Sequence, residues 1–430
     1  MDDQTIKAFV AIGAVIFIGF FGSLMFNKYR IPDVLVLVLV GMLLGPDLLG
    51  KELGLVTHGT LEYISGFNDL FLSIALVVIL FDGGLCLDLR SVVESMRISA
   101  FMTILTFVLG MVCIGAFVHL VLGKDLMISM ILGSILGGTS GAIVIPIANK
   151  LRIQPRTKSI VIMESAITDV LVVVAALTLI SVITIEHVTV LSVAEELAIK
   201  FLVGAAVGLV AGIAWLYVLQ WLRNQPLSYM ITIAALFVIA GLVEMFNSSG
   251  AVAALTFGLS VGNKKYVKRQ LTSVSLKLSS DGNIQQFHAE ISFFVRTFFF
   301  VYLGLIFSFE TFTVMHLVAG VAIIALIALV RWLTTSLTAR LGDMPDEDRK
   351  ALFGLMPRGL AAAVLATLPA AILANQTVWT SDPELGDLFL NVTLLVILGT
   401  TLVATISSFA VERGIERKRI TDLRKKISKA

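Results

Sequence analysis

Apolar residues fill long blocks along nearly the whole chain, and short polar segments separate these blocks. A helix needs about 20 consecutive apolar residues to cross the hydrocarbon core of a bilayer. Transmembrane strands would instead alternate in polarity over segments of about 10 residues, a pattern that the sequence lacks. The blocks therefore predict an all-α polytopic membrane protein with about thirteen transmembrane helices. These spans are predicted at roughly 5–26, 31–48, 69–87, 98–122, 126–149, 158–184, 195–222, 228–246, 249–262, 288–309, 312–340, 350–374 and 386–411.

The composition supports this assignment. Of the 430 residues, 57% are apolar and 14% are charged, whereas a soluble protein carries about 25% charged residues. The two cysteines, Cys86 and Cys113, lie in or beside predicted spans and indicate neither a disulfide framework nor a metal site. The five histidines are scattered, and no protease, hydrolase or dinucleotide motif occurs. The sequence therefore predicts no enzyme activity and no cofactor.

The basic residues predict the orientation of the chain. Most of the 32 Lys and Arg residues fall in alternate loops, above all at 264–277 and in the tail at 413–430. Positive charge is retained on the cytoplasmic side, so the N-terminus is expected outside and the C-terminus in the cytoplasm of a plasma (inner) membrane protein. The basic tail is expected to contact anionic lipid of the bilayer, not nucleic acid.

Six charged residues within predicted spans are the buried charges to explain. Such residues are costly in a bilayer and mark functional sites by default. At 1.5 Å per residue, Asp169, Arg331, Arg358 and the polar Thr139 lie roughly 12–18 Å from the inner ends of their spans. Half the thickness of the hydrocarbon core is about 15 Å, so these four residues are expected near the same depth. The six charged residues are Asp82, Glu164, Asp169, Arg296, Arg331 and Arg358.

The sixth span carries two acids in the segment E-S-A-I-T-D-V at 164–170. Glu164 and Asp169 are five residues apart, which places them about 140° apart around a helix. One acid can therefore face a neighbouring span while the other faces a cavity. We expect Glu164 to pair with Arg331 and to stay ionised, which leaves Asp169 free to hold a proton or a cation. The alternative is that both acids are partners in structural ion pairs.

Two spans contain clusters of poor helix formers. The fifth span contains L-G-G-T-S-G-A-I-V-I-P at 136–146, and the twelfth contains G-L-M-P-R-G-L at 354–360. Interrupted helices at corresponding positions of two inverted halves indicate the midplane site of a transporter. Backbone carbonyls near Thr139 would then face the cation, and Arg358 would balance the charge of the half-helix ends. Close helix packing through small residues is the alternative explanation.

Several motifs together carry a resemblance to a known family. They are F-D-G-G-L (81–85), G-T-S-G-A (138–142), E-S-A-I-T-D-V (164–170), F-F-F-V-Y-L-G-L (298–305), A-L-V-R-W (328–332) and P-R-G-L-A-A-A-V-L-A (357–366). With these motifs the chain resembles, nearly from end to end, the cation/proton antiporter superfamily and within it the NhaP-type sodium/proton exchangers.

The resemblance implies a homodimer that works as an elevator. A dimerisation domain would comprise 1–90 and 192–309, a core transport domain 97–185 and 311–412, and a basic cytoplasmic tail would follow at 413–430. Asp169 matches the aspartate that binds the cation and the proton in the family. Glu164 matches the acid paired with an arginine, here Arg331, while Ser165 and Thr139 match further ligands.

Two positions depart from the family pattern. The sixth span has Thr168–Asp169 where the family has Asn-Asp or Asp-Asp, and the fifth has Thr139–Ser140 where it has Thr-Asp. Threonine keeps an oxygen for a cation but adds no charge, so we expect an electroneutral exchange of one cation for one proton. Na⁺ is the first expectation for the cation, and K⁺ or Li⁺ are the alternatives.

The roles of the remaining charged residues stay open, and two rival functions remain. Asp82 would attract cations to the inner funnel or serve a structural role, and Arg296 is expected to be structural. A cation channel would use the same midplane charges. An organic-anion transporter would expose a free arginine, for which Arg358 is the candidate.

Overall fold

The computed structural model describes residues 3–29, 32–45, 47–48, 50, 68–86, 89–184, 190–222, 228–264, 266, 283–307, 309–342, 344–374 and 376–427. The regular secondary structure within these residues is helical throughout, which confirms the all-α prediction. Most of the basic loop at 264–277, on which the predicted orientation partly depends, lies outside the described residues.

The helices are labelled here in chain order. They are α1 (Asp3–Tyr29), α2 (Asp33–Leu43), α3 (Asn68–Cys86), α4 (Leu89–Leu122), α5 (Leu126–Gly137), α6 (Gly141–Lys150), α7 (Pro155–Thr184), α8 (Val190–Trp221), α9 (Ser228–Met245), α10 (Gly250–Gly262), α11 (Asn283–Leu305), α12 (Val314–Gly342), α13 (Asp346–Gly354), α14 (Leu360–Ile372), α15 (Thr377–Thr380) and α16 (Leu385–Ile427).

Each predicted span coincides with a helix or with a pair of short helices. The fifth span is divided into α5 and α6, and the twelfth into α13 and α14, so both Gly/Pro clusters interrupt their helices. Among the described residues, six helices are long and apolar enough to cross a membrane: Arg97–Leu122, Pro155–Thr184, Ala198–Trp221, Gln286–Leu305, Val314–Gly342 and Leu385–Arg417. The other apolar helices are shorter, so the count of thirteen spans stays a prediction.

The chain folds into two compact units. Unit 1 comprises Met1–Met25, Val36–Val93 and Leu177–Thr311, and unit 2 comprises Phe26–Leu35, Glu94–Ala176 and Phe312–Ala430. Whether unit 1 serves as a dimerisation domain and unit 2 as a transport domain stays a prediction.

Unit 1 is built around α10, which packs against α3, α8 and α9. Its core contains Phe81 and Leu85 of α3 together with Phe257 of α10. The backbones approach so closely that a side chain at Gly258 would collide with the carbonyl oxygen of Phe81. Such small residues let membrane helices pack at short distance, because dispersion contacts replace the hydrophobic driving force that lipid does not supply.

Unit 2 is organised around α16, which packs against α12, α13 and α14, while α14 also contacts α5. The start of α5 is defined locally by its sequence. The Oδ1 atom of Asp125 accepts hydrogen bonds from the amides of Met127 at 2.8 Å and Ile128 at 3.3 Å, which caps two amides that lack helical partners. Gly123 has a φ of 68° in the preceding turn, a backbone conformation that glycine adopts without steric cost.

Candidate functional site

The two interrupted helices meet at their breaks. The break between α5 and α6 covers 138–140, and the break between α13 and α14 covers 355–359. The amide of Ser140 donates a hydrogen bond of 2.8 Å to the carbonyl oxygen of Pro357. A Cβ atom at Gly359 would collide with the Ser140 side chain, so the contact between the breaks depends on glycine at this position.

Arg358 lies in the second break and caps the half-helix α5. Its guanidinium donates to the carbonyl oxygens of Leu136 at 2.8 Å, Gly137 at 3.4 Å and Met356 at 2.8 Å. The last carbonyls of a helix lack intrahelical donors and carry a partial negative charge. The buried arginine therefore satisfies the end of α5 with both hydrogen bonds and positive charge.

Arg331 of α12 serves the end of α13 in the same way. Its Nε donates to Leu352 O at 2.8 Å and its Nη2 to Leu355 O at 2.9 Å. The third guanidinium nitrogen, Nη1, donates to Oε1 of Glu164 in a fully buried ion pair. The structure thus pairs the two residues that the sequence analysis paired. The second oxygen of Glu164, Oε2, is buried and accepts no hydrogen bond from the described residues.

Asp169 faces the start of the other half-helix, α6. Its Oδ2 accepts a hydrogen bond of 3.1 Å from the amide of Gly141, the first residue of α6. The N-terminus of a helix carries a partial positive charge, which complements a carboxylate. Among the described residues Asp169 forms no ion pair, in contrast to Glu164 on the same helix.

Gly141 leaves a small space beside two oxygens of α7. A Cβ atom at this position would lie 3.2 Å from Oδ2 of Asp169 and 3.7 Å from Oγ of Ser165. Both oxygens therefore border one point at the start of α6. The Ser165 hydroxyl donates to Ile162 O within its own helix, so its lone pairs remain available at this point. Carboxylate and hydroxyl oxygens around a small space are a suitable arrangement for a dehydrated cation.

Thr168 forms hydrogen bonds with the backbone of the first break. Its hydroxyl accepts a hydrogen bond of 3.1 Å from the amide of Thr139, and its single hydrogen is shared between the carbonyl oxygens of Thr139 and Ser165, each 3.1 Å away. The Thr139 hydroxyl lies 3.2 Å away. A hydroxyl has one donor hydrogen and two lone pairs, so these contacts use its hydrogen and at least one lone pair. Thr168 therefore binds the backbone of the α5 break, and its role as an oxygen ligand for a cation stays a prediction.

The other predicted residues are accounted for as follows. Thr139 lies buried in the first break. Asp82 of α3 lies in unit 1, where the charge of Arg296 of α11 acts on it. Sequence reasoning did not single out Gly141 as a neighbour of Asp169, although it belongs to the G-T-S-G-A motif. It also missed Asp348 and Thr157, which are buried in contact with each other, because neither interrupts an apolar run.

A comparison with protein families decides the classification. Residues 13–412 match the family described as "Sodium/hydrogen exchanger, transmembrane". The chain belongs to this exchanger family. The predicted resemblance to NhaP-type antiporters is thereby confirmed, together with the integral membrane character of the chain.

Other members and structures are similar to this exchanger-family chain at low identity. It is 25% identical over 401 residues to "K(+)/H(+) antiporter NhaP" of Alkalimonas amylolytica, with 90% of the chain aligned. It is 23% identical over 361 residues to "Probable Na(+)/H(+) antiporter 2" of Methanocaldococcus jannaschii, covering 80% of the chain and 79% of that protein. The structure of the sodium proton antiporter MjNhaP1 from Methanocaldococcus jannaschii shares the fold, with a TM-score of 0.75, 19% identity, and coverage of 94% of this chain and 98% of that one.

The chain is shorter than some of these exchanger-family relatives. It covers 63% of the length of the Alkalimonas amylolytica protein. It covers 35% of the length of "Sodium/hydrogen exchanger 8" of Arabidopsis thaliana, to which it is 24% identical over 265 residues.

Proposed function

We propose that the chain exchanges a monovalent cation for a proton and that both bind in turn at Asp169. The observation that carries this proposal is the contrast between the two acids of α7. Arg331 neutralises Glu164, whereas Asp169 faces the start of α6 without an ion pair among the described residues. A carboxylate removed from water needs a counter-charge or a proton, so Asp169 takes either one from solution.

The competition between the two ligands provides the coupling. With the cation bound, the ionised Asp169 and the Ser165 hydroxyl supply oxygens beside Gly141. Oε2 of Glu164 and the carbonyl oxygen of Thr139 complete the proposed set of ligands. Protonation of Asp169 removes its negative charge and releases the cation, and deprotonation restores the site. One ligand therefore leaves as the other binds, and the site is never stably empty in the bilayer.

A single unpaired carboxylate supports an electroneutral exchange of one cation for one proton. At the two positions where NhaP-type exchangers carry a further acid or an amide, this chain has Ser140 and Thr168. Neither side chain adds a negative charge. The number of charges that cross with the cation is therefore the same as the number that cross with the proton.

We propose Na⁺ as the transported cation, with K⁺ as the second candidate. The family description and the Methanocaldococcus jannaschii relative name sodium. The Alkalimonas amylolytica relative aligns with 90% of the chain, and its name specifies K⁺. This favours K⁺, the second candidate. A cation channel would not require proton counterflow, and this difference separates it from both candidates.

The distribution of the site residues supports an elevator mechanism. Both pairs of half-helices lie in unit 2. The residues that the proposal uses lie there too: Thr139, Glu164, Ser165, Asp169, Arg331 and Arg358. We propose that unit 2 carries the ion across the membrane and that unit 1 forms the scaffold of a homodimer. Arg358 is a weaker candidate for binding an organic anion, because its guanidinium already donates to three backbone carbonyls.

Transport in proteoliposomes tests the proposal. Purified protein is reconstituted with a pH-sensitive dye inside the vesicles, and Na⁺, K⁺ or Li⁺ is added outside. Entry of the cation should drive protons out, so the wild-type protein should alkalinise the lumen, with the membrane potential clamped. Asp169→Asn should abolish this signal, because an amide neither ionises nor releases a proton.

A matched control separates this loss from damage to the fold. Asp346→Asn makes the same chemical change at an exposed position of α13 and should transport like the wild type. Coupled exchange that persists in Asp169→Asn would overturn the assignment of the shared site. Cation flux without proton counterflow in the wild type would indicate the channel.

A further inference from the structure

Asp348 is a buried acid that the exchange mechanism does not use. Its side chain is 4% exposed, and it lies in the first turn of α13. Its Oδ2 accepts a hydrogen bond of 2.6 Å from the hydroxyl of Thr157, which is 1% exposed, and one of 3.3 Å from the amide of Gln154. Both donors lie at the start of α7, the helix that carries Asp169.

The physical role of these contacts follows from the ends of the two helices. The first amides of a helix lack intrahelical acceptors and create a partial positive charge. Asp348 lies at the N-terminus of its own helix, α13, and also supplies a negatively charged acceptor at the start of α7. A hydrogen bond to a charged acceptor is about twice as strong as one between neutral groups. Nearby, Arg156 of α7 donates to Gly342 O at the end of α12 at 3.3 Å.

A second attachment joins the same two helices closer to the site. Arg331 holds the end of α13 through Leu352 O and Leu355 O and also binds Glu164 of α7. From Thr157 to Asp169 the helix rises roughly 18 Å, and Glu164 lies between them. Two attachments at different heights restrain α7 in both its rotation and its position along the helix axis. A single attachment would leave it free to tilt about that point.

We infer that Asp348 is a positioning residue for Asp169. By fixing the start of α7 against α13, it holds the Asp169 carboxylate at the distance from Gly141 at which a cation binds. The inference rests on the proposed function, because it assumes that the cation binds at Asp169. Asp348 itself contacts neither the cation nor the proton.

Transport kinetics of a set of variants in proteoliposomes test this role. Asp348→Ala removes the acceptor and should raise the half-saturating cation concentration about fivefold or more, with the maximal rate within about twofold of wild type. Asp348→Asn keeps an acceptor oxygen but removes the charge, so its half-saturating concentration should lie between those of the wild type and Asp348→Ala. Thr157→Val keeps the size of the side chain but removes the donor, so it should shift the half-saturating concentration in the same direction as Asp348→Ala.

Two further variants sharpen the measurement. Asp346→Ala removes an exposed acid from the same turn and should leave the half-saturating concentration unchanged. The double variant Asp348→Ala/Thr157→Val should have the same half-saturating concentration as Asp348→Ala alone or a lower one. Both changes remove the same hydrogen bond between Asp348 and Thr157. If Asp348→Ala does not fold, Thr157→Val and Thr157→Ser carry the test, with the serine variant expected to behave like the wild type.

The outcomes distinguish this inference from the proposed function. A lower melting temperature with an unchanged half-saturating concentration in both Asp348→Ala and Thr157→Val would show a purely structural role and overturn the inference. If the wild type exchanges cations for protons and Asp169→Asn does not, that result leaves the proposed function intact. Absence of exchange in the wild type would instead overturn the proposed function.

Discussion

Arg331 and Arg358 perform the same task at the ends of two different half-helices. Arg331 donates to the carbonyls of Leu352 and Leu355 where α13 ends, and Arg358 donates to those of Leu136 and Gly137 where α5 ends. Their third contacts differ, since Arg331 binds Glu164 and Arg358 donates to Met356 O. An interrupted helix exposes carbonyls at membrane depth, and backbone groups there must be satisfied within the protein. The two arginines therefore stabilise the crossing of the half-helices in the bilayer.

The capping role of Arg358 predicts a loss of stability that charge alone does not restore. Arg358→Ala leaves three buried carbonyls without donors and should cost about 3 kcal/mol or more of folding free energy. Arg358→Lys keeps the positive charge but cannot reach carbonyls in three directions, so it should recover only part of this loss. Melting temperatures of the detergent-solubilised variants check the order wild type, lysine, alanine. Equal stability of lysine variant and wild type would contradict it.

The pair of Glu164 and Arg331 predicts unequal costs for its two members. Glu164→Gln keeps an oxygen that can accept from Arg331 and leaves the two carbonyl contacts of Arg331 intact, whereas Arg331→Gln removes the donors to the carbonyls of α13 and leaves a buried carboxylate unpaired. Breaking a buried pair costs about 3–5 kcal/mol, and we expect the arginine variant to lie at the upper end. Thermal unfolding of both variants in the same detergent provides the comparison. A more stable arginine variant would refute the capping of α13.

The Thr168 hydroxyl predicts different results for two small substitutions. Thr168→Val keeps the shape but leaves the amide of Thr139 without an acceptor, so it should lower stability by about 1–3 kcal/mol and weaken cation binding. Thr168→Ser keeps the hydroxyl and should behave like the wild type. Thr367→Val is the matched control, because among the residues that the structure describes its hydroxyl bonds to Val364 O within its own helix. Thr168→Val indistinguishable from this control would remove the proposed role.

The space at Gly141 predicts a selective loss of binding. In Gly141→Ala a methyl group would lie 3.2 Å from Oδ2 of Asp169 and occupy the position proposed for the cation. The half-saturating cation concentration should rise about tenfold, while the melting temperature should not fall, because alanine favours a helix over glycine by about 1 kcal/mol. Gly83→Ala, where no atom lies within 4 Å of the added Cβ, is the control and should not affect transport.

Competition at Asp169 predicts the direction of the pH dependence. Protons displace the cation, so lowering the pH should raise the half-saturating cation concentration. The amount of cation bound at saturation should not change with pH. In the low-pH range the increase should approach tenfold per pH unit if one proton competes with one cation. Binding measurements with purified protein at a series of pH values check this slope. A half-saturating concentration independent of pH would exclude a shared site.

Local patterns accounted for much of the fold. The apolar blocks predicted the helices, because length and hydrophobicity decide whether a segment can lie in a bilayer. The Gly and Pro clusters at 136–146 and 354–360 predicted the two interruptions, since both residues weaken helices through their own backbone chemistry. The helical periodicity of 164–170 also separated the directions of Glu164 and Asp169. All of these features depend on residues close together in the chain.

The sequence by itself therefore determined the helices, their breaks and the charges that the membrane makes costly. Only the tertiary structure decided which distant groups meet. Nothing near Thr168 in the chain indicates that its hydroxyl binds the backbone of Thr139, and nothing near Asp348 indicates that it binds the start of α7. These contacts join residues 29 and 191 positions apart. They depend on how the helices of unit 2 pack, and a pattern within one helix carries no information about the position of another.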